Sequence, residues 1–519
     1  MKKNVLALSI ATAVVGFAGS AHAIQTIGGT TTPATANDLQ FGNTGTGHML
    51  LVPYFSTQDG NAMLLSLINT DTVNGKAVKV RFRGARNSDD IFDFQVFLSP
   101  GDVWTANVSK NSDGLSYLTT EDATCTKPAK ATLNSTPFIT SRLNSKVTAE
   151  ERANGTREGY IEIFNMADIP KSTTGGLYPL IKHKDSVAKC ANDGTNTAWT
   201  AINTDLADEA AYEAPAIGMA NPTTGLAANW TIMNVPKALS WSGTATAIEA
   251  VDSVAVPPVL GTGHIVYFPQ TNVNVVNPTT YTADALFGAN AAGKVYVKPA
   301  MYDLPDMSTP YTQYTTAAAT WPGDQAVKLA DAITTRAVIN EYWTEPDIKA
   351  ETDWVFSMPT RRYAVAVDYA AASGPEAVYN PYVNKHFAAS NTQMNGDAVC
   401  VLNVSYTAWD REENSPESPD DVVISPGTPT APTLFCGETS VLSFNNAGAS
   451  QSAVLAASVA LKDMDTGFTN GWAQLNTPGA TSAGLPILGQ AFVSAYNPSV
   501  AAGTAGNFGV NWGHRFARP

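Results

Sequence analysis

Residues 78–83 read Val-Lys-Val-Arg-Phe-Arg, and residues 92–98 read Phe-Asp-Phe-Gln-Val-Phe-Leu. In both stretches every second residue is apolar, and most residues between them are charged or polar. This alternation places the two kinds of side chain on opposite faces of a β-strand. A turn at Pro100-Gly101 and renewed alternation from Trp104 extend the pattern. Short alternating strands whose turns lie roughly 8–12 residues apart are typical of an antiparallel sandwich or barrel.

We therefore predict a mainly β fold, built of antiparallel immunoglobulin-like β-sandwich domains with long polar insertions and a few short helices. The longest predicted helix covers residues 324–343, where apolar residues recur at helical spacing. Shorter helices are predicted near residues 148–152 and 205–212. The predicted divisions are a signal peptide (1–23), a flexible N-terminal arm (24–47), an N-terminal β-sandwich region with an insertion (48–270), an irregular linker region with one helix (271–350) and a C-terminal β-rich region (351–519).

The N-terminus has the three parts of a bacterial secretory signal peptide. Lys2 and Lys3 form a basic start, residues 5–18 are apolar, and Ala21-His22-Ala23 matches a cleavage site. The apolar run is shorter than the ~20 residues that a membrane-spanning helix needs. The pattern predicts export and a mature chain that begins at Ile24.

The composition narrows the classes of partner. The 519-residue chain carries 31 Lys and Arg residues against 45 Asp and Glu residues, for a formal net charge of −14. This excess of negative charge disfavours nucleic acid as a partner, because binding to phosphates needs a basic face. Only 15% of the residues are charged, against a usual ~25%, so Thr, Ser, Asn and Gln must supply much of the polar surface.

The chain contains four cysteines, at positions 125, 190, 400 and 436. An even number of cysteines in an exported protein predicts disulfides, and four cysteines allow three pairings. We favour the pairing between neighbours in sequence, Cys125–Cys190 and Cys400–Cys436, because each pair brackets a polar, turn-rich insertion. The sequence has no Cys-x-x-Cys motif, which argues against a zinc site.

Motif searches give no catalytic centre. The sequence has no H-E-x-x-H, no G-x-S-x-G elbow, no phosphate-binding loop and no dinucleotide fingerprint. We predict that the chain is not an enzyme. A secreted hydrolase stays open as an alternative, because a pair of catalytic carboxylates can meet in three dimensions without any sequence motif.

Two acidic loops are candidates for calcium, which prefers several carboxylate and carbonyl oxygens on a flexible loop. The first begins at residue 410 and continues to residue 421, and the second lies at residues 463–467. The candidate metal ligands are Asp410, Glu412, Glu413, Asp463 and Asp465. The alternatives are a solvated loop held at its base by Cys400–Cys436 and a simple polar turn.

One basic cluster interrupts the acidic trend. Alternation places Lys79, Arg81 and Arg83 on one face of a strand. One interpretation pairs them with acidic residues of the next strand, namely Asp89, Asp90 and Asp93. The other assigns the three cations to surface anchoring on the anionic sugar or lipid phosphates of outer-membrane lipopolysaccharide.

Several segments together resemble the surface-layer, or cell-surface, proteins of β-proteobacteria, including the type that coats tubular membrane extensions called nanopods. The segments are residues 48–55 (HMLLVPYF), 67–70 (LINT), 93–104 (DFQVFLSPGDVW), 354–363 (WVFSMPTRRY) and 513–516 (GHRF). The resemblance covers most of the mature chain, and its motifs are structural. It implies a secreted protein that tiles the outer surface as a two-dimensional array, often with dependence on calcium. It carries no active-site residues.

The leading hypothesis is a secreted structural protein of the bacterial cell surface, outside the outer membrane, that self-assembles into a surface layer. Its expected partners are copies of itself, with lipopolysaccharide as a candidate anchor and Ca²⁺ as the candidate cofactor. A secreted adhesin or glycan-binding module is the alternative. An outer-membrane β-barrel is a further alternative, because Phe508, Val510 and Trp512 alternate near the end of the chain.

Overall fold

A computed structural model describes residues 34–172, 175–191, 196–205, 218–267, 270, 305–307, 311, 321–415, 435–481, 484–497, 499–501, 504 and 506–519. The predicted signal peptide lies outside the described residues. So do most of the helix predicted at 205–212 and most of the predicted linker between residues 271 and 320.

The first group of strands, in chain order, is β1 Asp38–Phe41, β2 Met49–Ser56, β3 Asn61–Asn69, β4 Gly75–Gly84, β5 Asp90–Leu98, β6 Val103–Lys110, β7 Ser116–Thr119, β8 Cys125–Lys127, β9 Glu158–Ile169, β10 His183–Lys184, β11 Val187–Ala188, β12 Leu226–Asn234, β13 Leu239–Thr244, β14 Thr246–Asp252 and β15 Val259–Leu260.

The second group is β16 Thr334–Thr335, β17 Ala337–Trp343, β18 Glu351–Ser357, β19 Val365–Asp368, β20 Glu376–Tyr379, β21 Thr392–Asn395, β22 Ala398–Val401, β23 Ser405–Asp410, β24 Phe435–Cys436, β25 Thr439–Phe444, β26 Leu461–Met464, β27 Asn470–Asn476, β28 Leu485–Pro486, β29 Leu488–Tyr496, β30 Asn507–Gly513 and β31 Arg515–Phe516.

The described helices are short. They are α1 Lys130–Leu133, α2 Ala149–Gly155, α3 Tyr178–Ile181, α4 Thr197–Asp205 and α5 Trp321–Ile333, with 3-10 turns at Gln58–Gly60, Pro346–Ile348 and Arg361–Tyr363. The helix predicted near residue 148 is confirmed as α2. Thr148 caps it, since its hydroxyl accepts from the Glu151 amide while the Glu151 carboxylate accepts from the Thr148 amide. In the described part of the chain, the helices are too short or too polar to span a lipid bilayer.

Most strands belong to four sheets, which confirms the mainly β, antiparallel fold. Sheet I has the order β1-β14-β2-β9-β4-β5-β8, with β15 paired to β14, and sheet II has the order β13-β12-β3-β6-β7. Sheet III has the order β26-β25-β18-β29-β30, and sheet IV has the order β23-β27-β17-β31. Every pairing in these sheets is antiparallel except that of β25 with β26.

Sheets I and II stack into an N-terminal sandwich. Val80 and Phe82 of β4 and Ile161 of β9 lie in one buried cluster with Leu65 and Trp230 of sheet II. β4 runs between β9 and β5 in the interior of sheet I, and all of its residues are buried. The alternation in residues 78–83 therefore describes two buried faces, one apolar and one charged.

The second face of sheet I is covered by segments that follow much later in the chain. Phe97 and Phe164 of this face share a cluster with Tyr267, with Ile181 of α3 and with Leu329 of α5. This cover makes the N-terminal region three layers deep, and it buries the charged side of β4.

Sheets III and IV form a C-terminal sandwich that continues the core of the first. Trp354 of sheet III packs in one cluster with Val338 and Leu475 of sheet IV. The other face of sheet III presents Phe492 to the core between sheets I and II, where its ring lies 6.0 Å from that of Trp230. The two sandwiches are therefore joined through a shared hydrophobic core.

Three predicted boundaries differ from the structure. Asp38–Phe41, inside the predicted flexible arm, is a strand that pairs with β14. The predicted helix over residues 324–343 stops at Ile333, and Ala337–Trp343 is the strand β17, paired with β27 and β31. The C-terminal sandwich therefore begins before residue 351. Backbone pairing on both sides of β17 outweighs the helical spacing of its apolar residues.

Candidate functional site

The three cations proposed for surface anchoring are not on the surface. Lys79, Arg81 and Arg83 are fully buried on the covered face of β4. The anchoring hypothesis for these residues is therefore wrong, because a buried cation cannot reach lipopolysaccharide. The interpretation that pairs them with acidic residues is the one that the structure supports.

Two of the predicted acidic partners are found in the pairs. Lys79 bonds to Asp93 and Arg81 to Asp90, while Asp90 also accepts from Arg142 at 2.8 Å. The third predicted acid, Asp89, accepts a hydrogen bond from the hydroxyl of Tyr369.

The pairs continue into a buried ion chain that joins the two sandwiches. Arg83 lies 3.2 Å from Glu162 on the neighbouring strand β9 and 3.7 Å from Asp306. Asp306 lies 3.4 Å from Arg362, and the adjacent Arg361 donates to Glu438 at 2.8 Å. We name these six residues the buried ion chain. Each cation in it has at least one acidic partner, as the burial of so many charges requires.

The position of Glu438 in the buried ion chain affects its titration. Burial raises the pKa of its carboxyl to about 7, and the guanidinium of Arg361 opposes this increase. Its backbone amide donates to the Ala85 carbonyl at 2.9 Å, directly after β4. The buried ion chain thus connects the two sandwiches.

Both predicted disulfides are confirmed. Cys125 of β8 is bonded to Cys190, which ties the edge of sheet I to the segment that follows α3. Cys400 of β22 is bonded to Cys436 of β24, and the two residues lie directly opposite each other in the strand register. The second disulfide therefore closes the base of the acidic insertion, as predicted.

The first acidic loop is organised by its own backbone. The Asp410 carboxylate accepts from the amides of Glu412 and Asn414 and from the Asn414 side chain, each at 2.8 Å. These bonds lower the pKa of Asp410. Glu413 occupies the left-handed backbone region at the tip of the turn. Residues 416–434, which include the rest of the acidic run, lie outside the described residues.

The second acidic loop is also tied by local bonds. Asp463 accepts from the amide of Gly448 at 3.3 Å, and Asp465 accepts from that of Gly467 at 3.0 Å. In the part of the chain that the structure describes, no group of three or more His, Cys, Asp or Glu side chains could hold a metal ion. Calcium binding at either loop stays a prediction.

Two buried histidines have hydrogen bonds that fix their protonation state. In His48, Nε2 donates to the Gly261 carbonyl and Nδ1 accepts from the Ala250 amide, both at 3.0 Å. In His514, Nδ1 lies 2.9 Å from the Asn340 amide nitrogen, which donates to it. Burial lowers the pKa of both rings to about 3. They are neutral structural groups.

Two exposed apolar surfaces stand out. The loop between β14 and β15 presents Val254 and Val256, which are 80% and 94% exposed, with Val259 and Leu260 beside them. We call these four residues the apolar tip. The second surface lies on β30, where Phe508 and Val510 are 53% and 44% exposed. We call these two residues the β30 patch. Large exposed apolar patches mark contact sites on proteins, so both surfaces are candidates for contacts.

A groove of about 300 Å³ lies on the outer face of sheet IV. We call it the tryptophan groove. Its lining combines aromatic, charged and small residues: Ile339, Asn340, Glu341, Trp343, Asp410, Arg411, Gly471, Trp472 and Arg515.

Further aromatic rings support the groove from both sides. Trp409 stacks on Trp472 with ring centres 4.0 Å apart and planes 11° from parallel. Trp512 meets Trp343 edge-on at 4.9 Å. Sequence reasoning missed these residues because they come from four separate strands. The available signal was that Trp472 shares one face of its strand with the polar residues Gln474 and Asn476.

Comparison of the chain with protein-family models, with curated proteins and with solved structures gave no match in any of the three. Functional conclusions therefore rest on the geometry of the chain itself.

Proposed function

We propose that the chain is a secreted structural protein of the bacterial cell surface, which assembles with copies of itself into a surface layer and for which calcium is the candidate cofactor. The observation that carries the proposal is the apolar tip. Its four aliphatic residues are all more than half exposed, although the folded chain has large hydrophobic cores in which to bury such residues.

Exposure of such a tip costs free energy in an isolated molecule. Each fully buried Val or Leu side chain contributes roughly 1.5–3 kcal/mol relative to exposure. Four side chains that insert into a neighbouring copy would therefore supply a large part of the free energy of one contact. In water without a partner, the same surface promotes association.

The β30 patch gives a layer its second contact. It lies on a different strand and sheet from the apolar tip, so the two surfaces are distinct. Contacts between two different surfaces of identical molecules are heterologous, and heterologous contacts continue indefinitely when the rotation does not close. Two distinct contact surfaces are therefore compatible with an extended array.

The test is negative-stain electron microscopy and light scattering of the exported chain, with calcium and then with a chelator. The test variant is Val256→Glu with Leu260→Glu, which places two charges in the apolar tip. The matched control is Val73→Glu, since Val73 is a 55% exposed valine outside both surfaces.

We expect sheets or tubes from the unmodified chain and from V73E, and dispersed particles from the tip variant. Dispersed particles from the unmodified chain under all conditions would refute assembly. If arrays form and persist in chelator, the assembly proposal stands and its calcium component fails.

A further inference from the structure

The tryptophan groove has a defined construction. In the strand register, Trp409 of β23 lies opposite Trp472 of β27, which lies opposite Glu341 of β17. The three side chains therefore project from the same outer face in one row across sheet IV. Gly471 permits the close approach of β23 and β27, because a Cβ there would lie 1.8 Å from the Trp409 carbonyl oxygen.

The walls of the groove are aromatic and its rim is polar. Trp472 is 36% exposed, and the guanidinium of Arg411 lies 6.0 Å from the ring centre of Trp343. Glu341 and Arg515 are exposed on the same strand pair. Aromatic faces close to hydrogen-bonding groups suit a ligand that has apolar and polar sides within one small ring.

We propose that the tryptophan groove binds a neutral polysaccharide. A pyranose ring has an axial C–H face that packs on an indole, and equatorial hydroxyls that hydrogen-bond to carboxylate and guanidinium groups. In this arrangement Trp472 and Trp343 take the C–H faces. Glu341 accepts from hydroxyl groups, and Arg411 and Arg515 donate to hydroxyl oxygens.

The charges of the groove favour a neutral ligand over an ionic one. Its two guanidinium groups, on Arg411 and Arg515, are balanced by the carboxylates of Glu341 and Asp410. The Asp410 carboxylate is already engaged by its own loop. A second copy of this chain is the alternative occupant, but the exposed apolar surfaces proposed for contacts between copies, the apolar tip and the β30 patch, lie outside the groove.

The test is affinity electrophoresis of the exported full chain in native gels that contain dextran, laminarin, mannan or soluble galactan, followed by calorimetry with oligosaccharides of the retarding polymer. The test variants are Trp472→Ala and Trp343→Ala, with Arg515→Ala as a rim variant that leaves the indole packing intact. The matched control is Phe508→Ala, an exposed aromatic residue outside the groove.

We expect at least one polymer to retard the unmodified chain and F508A. Removal of one stacking indole should weaken binding by about tenfold, and R515A should weaken it less. Retardation by none of the four polymers, or retardation that W472A, W343A and R515A all leave unchanged, would overturn the proposal.

Ligand binding and assembly are separable in this design. F508A changes the β30 patch and leaves the tryptophan groove intact, whereas W472A does the reverse. Binding that survives in dispersed particles would support the groove even if the surface-layer proposal failed. Sheets that form without retardation in any polysaccharide gel would support the layer and refute the groove.

Discussion

The buried ion chain makes Asp306 the most informative position for a stability measurement. Its side chain is fully buried and lies between two guanidinium groups, 3.7 Å from Arg83 and 3.4 Å from Arg362. Asp306→Asn keeps the size and shape of the side chain and removes its charge. Arg83 keeps Glu162 as a partner at 3.2 Å, and Arg362 keeps the electrostatic attraction of Glu438, so the variant leaves an excess of buried positive charge.

Loss of one partner of a buried ion pair costs about 3–5 kcal/mol, because the remaining charge stays buried without compensation. We expect the lower end of this range, about 3 kcal/mol, since the Asn oxygen still accepts a hydrogen bond. The matched control is Asp59→Asn. Asp59 pairs with Lys237 at 3.1 Å, but both side chains are about half exposed, so solvent screening limits the expected loss to under ~1 kcal/mol.

The assay is equilibrium unfolding in urea, followed by tryptophan fluorescence and circular dichroism so that separate transitions of the two sandwiches are detected. A double variant, Asp306→Asn with Arg362→Met, tests the cause. If the excess of buried positive charge is responsible, removing one cation should restore part of the lost stability. Equal losses for D306N and D59N would refute the reasoning.

Three further predictions concern local features of the fold. Burial lowers the pKa of His48 and His514 to about 3, so at mildly acidic pH only the unfolded chain, with a histidine pKa of about 6.5, takes up protons at these positions. The free energy of unfolding should therefore fall by roughly 1.2 kcal/mol per histidine between about pH 6 and pH 5. In a His514→Asn variant, the fall should be about half the total for the two histidines. Replacement of Cys400 and Cys436 by Ala should lower the free energy of unfolding by about 4 kcal/mol in the chain-entropy model, whereas a loss below ~1 kcal/mol would show that the denatured chain is already restricted. Thr148→Ala should cost about 1 kcal/mol in the same urea assay, because it removes the side-chain cap of α2, and an unchanged midpoint would contradict the role of the capping box.

The sequence predicted the fold where the evidence is local. Alternation located the strands around residues 78–98, and the turn-rich insertions between cysteines predicted the two disulfides. Local spacing predicted the wrong element at Ala337–Trp343, where Val338 and Tyr342 are spaced as on a helix. Those two residues also face the same side of a strand. Their separation of four residues is two full strand periods and is close to one helical turn of about 3.6 residues. Pairing with β27 and β31 makes this segment a strand and not a helix, and those partners lie more than 100 residues away in sequence.

The candidate sites show why alternation alone cannot locate a surface. It correctly places Lys79, Arg81 and Arg83 on one face of β4, but a face is exposed only if nothing later in the chain covers it. Here Asp306 and the segments around Tyr267 and α5 supply the cover. The tryptophan groove presents the opposite case. Trp409 and Trp472 look like core residues by composition, yet the register of sheet IV directs both to its outer face. The burial of these cations and the exposure of these tryptophans are thus consequences of long-range pairing. Functional sites are best sought at positions where a residue type conflicts with its environment.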